Sequence, residues 1–145
     1  MRTMSDVSIK FDTDTIRSMN LFEDVTGVKV MDAITTKDEA YFVVEEGKVG
    51  LAIGKGGKTI NKVQDRLNKK VKVYEYSDSL KEFVENIVPV KVRSVKLDRS
   101  GDKKIVKIGV KRKDWSRAVG KDGKNVDITK RFLKREFDID DVKVN

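Results

Sequence analysis

The chain has 145 residues, 38% of them hydrophobic and 39% charged, with a net charge of +8; that is material for one ordinary domain or two very small ones on a basic surface. With no Cys and no His it can form neither a disulfide nor a thiolate site, and it lacks the commonest general base and metal ligand. There is no signal-peptide pattern and no apolar run long enough for a bilayer, so the expectation is a cytoplasmic protein without a membrane partner.

In chain order, Ile16, Met19, Leu21 and Phe22 have helical spacing over Asp14–Phe22, behind a cluster of capping residues. Val28–Thr35 and Ala40–Val44 read as strands around the polar turn 36–39. Val49, Ala52 and Ile53 share one face of a short helix that stops at Gly54, and Ile60, Val63 and Leu67 line a second helix. A strand over Val71–Tyr76 follows. Leu80, Phe83, Val84 and Ile87 then predict a helix, and Val90–Leu97 with Ile105–Val110 a hairpin turning at residues 100–102. Trp115, Ala118 and Val119 mark another short helix, Val126, Leu133 and Phe137 a longer one, and Ile139–Val144 the last strand. The only proline, Pro89, stands just ahead of a strand, where its missing N–H does least harm.

The order helix, strand, strand, helix, helix, strand thus occurs twice, and the residues repeat with it. Ala52-Ile53-Gly54-Lys55-Gly56-Gly57-Lys58 aligns with Ala118-Val119-Gly120-Lys121-Asp122-Gly123-Lys124 at an offset of 66. Val28-Lys29-Val30 matches Val90-Lys91-Val92 at 62, and Val71-Lys72-Val73 matches Val142-Lys143-Val144 at 71, a drift of the kind loop insertions produce. The reading is a duplication, with one unit over residues 1–76, including a short N-terminal segment, and another over 77–145. Units of this size have marginal cores, and no Gly/Ser-rich linker separates them, so they are expected to pack on each other.

Charge is distributed unevenly over the duplication. Residues 1–46 hold five Lys/Arg against ten Asp/Glu, and the remainder 27 against 14, which points to a polyanionic partner for the later part of the chain. The Gly-x-x-Gly turns supply a mechanism. Glycines let a phosphate approach the main chain, and the helix that follows offers free N–H groups and the positive end of its dipole. Lys55, Lys58, Lys62 and Arg66 extend the first such site, the last three along one helix face. Lys121 and Lys124 repeat the first two, with Lys130, Arg131, Lys134 and Arg135 supplying charge further on. A bare Gly-x-x-Gly string carries little weight, since Gly47-Lys48-Val49-Gly50 also matches and reads only as the opening of a helix. Trp115 could stack on a base, but its spacing with Ala118 and Val119 and its alignment with Val49 favour a core position. The other aromatics also fall on core positions, so no stacking platform is expected.

The order of elements, with Ile53-Gly54-Lys55-Gly56-Gly57 and Val119-Gly120-Lys121-Asp122-Gly123, resembles the type II KH domain. Two abutting copies with lysine-bearing turns are most similar to the short archaeal form of the NusA family of transcription factors. The resemblance implies an α+β fold of two tandem type II KH domains, each a three-stranded sheet with helices on one face. It implies a monomer that binds single-stranded RNA without catalysis or cofactor, and RNA polymerase or other transcription factors as further partners. Each turn would clamp the backbone, Gly54 to Gly57 in one unit and Gly120 to Gly123 in the other, with Ile53 and Val119 on the floor of an apolar groove for the bases. The polymerase-binding domain of bacterial relatives does not fit this length. Asp122 departs from the pattern and would weaken the second clamp.

Two other readings remain at this point. Ala52-Ile53-Gly54-Lys55-Gly56-Gly57-Lys58-Thr59 is one glycine short of a P-loop, which would make Thr59 a magnesium ligand and the chain a nucleotide hydrolase. Against this, a helix rather than a strand is predicted before the turn, and the second copy has Asn125 in place of Thr59. No strand ending in an acid stands ready to complete a magnesium site. Paired KH units also serve ribosome assembly and RNA decay, a difference that lies outside the sequence.

Overall fold

The computed structural model describes residues 11–145; the N-terminal segment expected ahead of the first unit falls largely outside the described residues. The first six elements are α1 (Thr13–Thr26), β1 (Val30–Thr35), β2 (Glu39–Val44), α2 (Val49–Ile53), α3 (Lys58–Leu67) and β3 (Lys70–Glu75). The next six repeat them as α4 (Leu80–Ile87), β4 (Val92–Ser100), β5 (Lys103–Val110), α5 (Trp115–Val119), α6 (Lys124–Phe137) and β6 (Asp141–Val144). All twelve expected elements are present, with ends displaced by a few residues. The first helix is the most extended: the Asp12 side chain accepts from Thr15 N at 2.7 Å as its cap, and the chain leaves it at Gly27, where φ is 72°.

The strands form two separate three-stranded sheets, ordered β1-β2-β3 and β4-β5-β6. In each, a hairpin pairs the first two strands antiparallel and the third joins parallel to the second. A parallel return needs a crossover, and the two helices around the Gly-x-x-Gly turn provide it. The helical crossover therefore exists to close the sheet, and the turn is its midpoint.

The two sheets differ in what covers them. Every residue of β2 is buried, because the first sheet is packed on both faces. Ala40, Phe42 and Val44 join Phe22, Ala52 and Val63 in the core beneath the unit's own helices. Ile34, Tyr41 and Val43 point the other way and share a core with Phe83, Ile87, Phe132 and Leu133 of the second unit. Tyr74 meets Phe132 edge-on at 6.3 Å between ring centroids, and Tyr76 lies 5.6 Å from Phe83. The expected packing of one unit on the other is thus an apolar seam between the first sheet and helices α4 and α6.

That seam is pinned by a charge pair. Arg135 Nη1 donates to Asp32 Oδ1 at 2.7 Å and to Ala33 O at 3.0 Å, and the Asp32 side chain is fully buried. Removing Arg135 would strand the buried Asp32 charge, a cost of about 3–5 kcal/mol. In the second sheet only one face meets a core, through Val106, Ile108 and Val142. Register puts Lys96, Lys107 and Lys143 side by side across its outer face, in the row that Ile34, Tyr41 and Lys72 occupy on the first sheet.

Candidate nucleic-acid interface

The two turns have one backbone. Gly54 has φ 76° and ψ 169°, and Gly120 has φ 80° and ψ 168°, a region essentially closed to residues with a Cβ. The third turn residue is left-handed in both, Gly56 at φ 62° and Asp122 at φ 56°. Gly57 and Gly123 follow at φ 77° and 76°. The internal bonds match too, with Gly57 N donating to Gly54 O and Gly123 N to Gly120 O, both at 3.1 Å. Asp takes the left-handed conformation more readily than most residues, so the acid replaces a glycine without changing the turn.

What lies under each turn explains the residue that mimicked a magnesium ligand. A Cβ on Gly54 would collide with Thr59 Oγ1 and come within 3.0 Å of Thr59 N. A Cβ on Gly120 would lie 2.8 Å from Asn125 N, and Asn125 Nδ2 donates to Arg117 O at 2.8 Å. Thr59 and Asn125 are therefore packing partners of their turns. The segment ahead of the first turn is helix α2, so the loop lacks the strand on which a P-loop is built.

Lys55 and Gly56, and Lys121 and Asp122, are exposed at the tips, with Gly54, Gly57, Gly120 and Gly123 half-buried behind them. No side chain caps the first turn of α3 or α6, which leaves their N-terminal ends open to an anion. Lys58, Lys62 and Arg66 are exposed along α3 as expected. Lys124 is exposed as well, but its ammonium is held by Glu39 Oε1 of the first unit at 2.7 Å. Burial pushes the Glu39 carboxyl up, and its bonding to Lys124 with the charges of Lys124 and Lys72 more than offsets this, so its pKa lies below the ordinary value.

Some charge assigned from the sequence to the anion site is engaged elsewhere. Arg135 belongs to the seam with Asp32, and Lys130 lies 3.3 Å from Asp141. The apolar residues beside the turns also need correction. Each short helix is barely longer than one turn, and only Ala52 and Ala118 reach the core. Ile53 remains 38% exposed, Val119 is half-buried, and Trp115 is not in the core at all but 45% exposed. Leu51, which the helical stripes do not include, is 60% exposed. Lys111, Arg112, Lys113 and Arg117, all exposed, lie close to Trp115 in the chain. Aligning the repeats at 66 sets Glu45 and Glu46 against Lys111 and Arg112, a charge inversion between the units that the sequence carries and the motif comparison does not reach.

Residues 17–100 match the KH domain family, and residues 80–144 match the family described as the NusA-like second KH domain. The chain belongs to the NusA-like KH family. Its relatives include the "Probable transcription termination protein NusA" of Methanococcus vannielii, 34% identical over 94% of this chain and 79% of that one. The protein of the same name from Halococcus morrhuae is 35% identical over 89% of this chain and 93% of its own. Among solved structures, the crystal structure of APE1850 superposes with a TM-score of 0.79 at 33% identity, covering 93% of this chain and all of that one. The α+β fold of two KH domains is therefore the fold of this NusA-like chain. Among the described residues, no helix is long and apolar enough to cross a membrane.

Proposed function

We propose that this NusA-like protein binds single-stranded RNA in transcription, without catalysis, gripping the backbone at Gly54–Gly57 and Gly120–Gly123. The observation that carries the reading is the recurrence of one turn. Twice, three left-handed or glycine-only residues expose main chain at an uncapped helix start, and twice a lysine stands at the tip. A phosphate there gains N–H donors and a helix dipole worth about 0.3–1 kcal/mol at the surface, to which the lysines add. Ile53 and Val119, partly open beside the turns, form the apolar side of the groove that receives bases. The two units meet between Tyr76 and Ser77, and a monomer carries both. RNA polymerase or another transcription factor is the protein partner that this role calls for.

The test is a titration of a short single-stranded RNA against the same sequence as duplex RNA and as single-stranded DNA. Single-stranded RNA should bind most tightly, with affinity falling steeply between 50 and 200 mM salt. Equal binding to duplex would mean that the turns do not receive an unpaired strand, and the proposal would fail.

A further inference from the structure

Trp115 is the chain's only tryptophan, and nearly half of it stands in solvent. It is nevertheless held in place. Its Nε1 donates to Val144 O at 3.0 Å, on the strand at the open edge of the second sheet. The helix between Trp115 and Gly120 separates their backbones by roughly 7–8 Å along its axis, about the reach of one nucleotide upstream of the second turn. Exposed cations precede it in the chain, Lys111, Arg112 and Lys113, with the half-buried Asp114 directly before the indole. A fixed aromatic face within a basic run is how single strands are bound by stacking, since every base offers a π-face and every link a phosphate. The equivalent of Trp115 in the first unit is Val49, half-buried and preceded by Glu45 and Glu46, so nothing comparable exists there.

We infer that Trp115 stacks on one base of the strand held at the second turn, with Arg112 and Lys113 taking the flanking phosphates. The inference deepens the RNA-binding reading and rests on it. Stacking compensates at this turn for the acid at Asp122, and it makes the second unit depend on bases where the first depends on backbone.

The single tryptophan gives a direct readout. Intrinsic fluorescence is followed while a labelled single-stranded RNA is titrated, with anisotropy of the label reporting binding in the same cuvette. Quenching should track anisotropy, and an abasic strand of equal length should bind without it. Trp115→Val, which installs the first unit's residue, should weaken binding roughly 5- to 100-fold. Trp115→Phe loses the bond to Val144 but keeps a ring, and should stay within about threefold of the parent. Quenching by the abasic strand equal to that by RNA, or unchanged affinity in Trp115→Val, overturns the inference while leaving RNA binding intact. So does a fluorescence change on concentrating the protein alone, which would assign the indole to contact between copies. Flat anisotropy for the parent would instead defeat the RNA reading itself.

Discussion

The segments 45–58 and 111–124 share a backbone and divide their chemistry in opposite ways. In the first, the turn itself is without acid, Gly54-Lys55-Gly56-Gly57, but it is approached through Glu45 and Glu46. In the second, Asp122 sits at the tip, Lys124 is tethered to Glu39, and the approach is Lys111, Arg112, Lys113 and Trp115. The turn residues alone make the later site simply the weaker of the two. The structure shows instead that its positive charge and its aromatic have moved upstream of the turn. A duplicated site can preserve a main-chain geometry while shifting the side chains that exploit it.

The sharpest way to break that contrast is at the first tip. Lys55→Asp with Gly56→Asp should reduce RNA affinity roughly 10- to 100-fold, because two carboxylates then face the phosphate at a tip that has lost its lysine. Lys121→Asp should cost only about three- to tenfold, since the second turn keeps its upstream cations. Both variants should stay folded within about 0.5 kcal/mol: Gly56 has open space around it and a φ that Asp122 already adopts. Equal losses, measured by anisotropy, would erase the proposed division.

A smaller difference is expected in stability. Gly120→Ala should cost about 1–3 kcal/mol by chemical denaturation, at a φ of 80° that disfavours any Cβ. Gly54→Ala should cost about the same, because a Cβ there meets Thr59 Cβ at 2.8 Å and Thr59 N at 3.0 Å, as one on Gly120 meets Asn125 N at 2.8 Å. A difference of more than about 1 kcal/mol would show that the two turns are not braced alike. The smallest effect is that of Asp122→Gly, which should tighten RNA binding about two- to threefold at low salt and lose the gain as salt rises.

Much of the fold is legible from periodicity. The i, i+3, i+4 stripes and the apolar runs locate the six α-helices and six strands of the described residues, and the repeat locates both turns. Pairing is less accessible: nothing local announces that β3 and β6 join parallel, or that Asp32 and Arg135, 103 residues apart, meet in the seam. By its sequence neighbours Arg135 therefore groups with the cations that follow the second turn, whereas its guanidinium is bonded to Asp32. Trp115 escapes for a different reason. A stripe argument assumes a helix long enough to present several residues to one core, and α5 has five residues, of which Ala118 alone is buried. The first member of such a stripe falls on the rim. The run Ala40–Val44, apolar without alternation, already signals a strand covered on both sides.

The lysine row on the outer face of the second sheet bars the kind of packing that the first sheet receives. Unit two docks on unit one by laying helices over Ile34 and Tyr41, and the same operation repeated would lay a third unit over Lys96, Lys107 and Lys143. Lys96 and Lys107, the latter paired with Asp98 at 2.7 Å, would then have to leave water where Ile34 and Tyr41 pack in the first sheet, at a cost of several kcal/mol. The outer face of the second sheet is therefore the wrong solvent for helices docked as α4 and α6 are docked on the first.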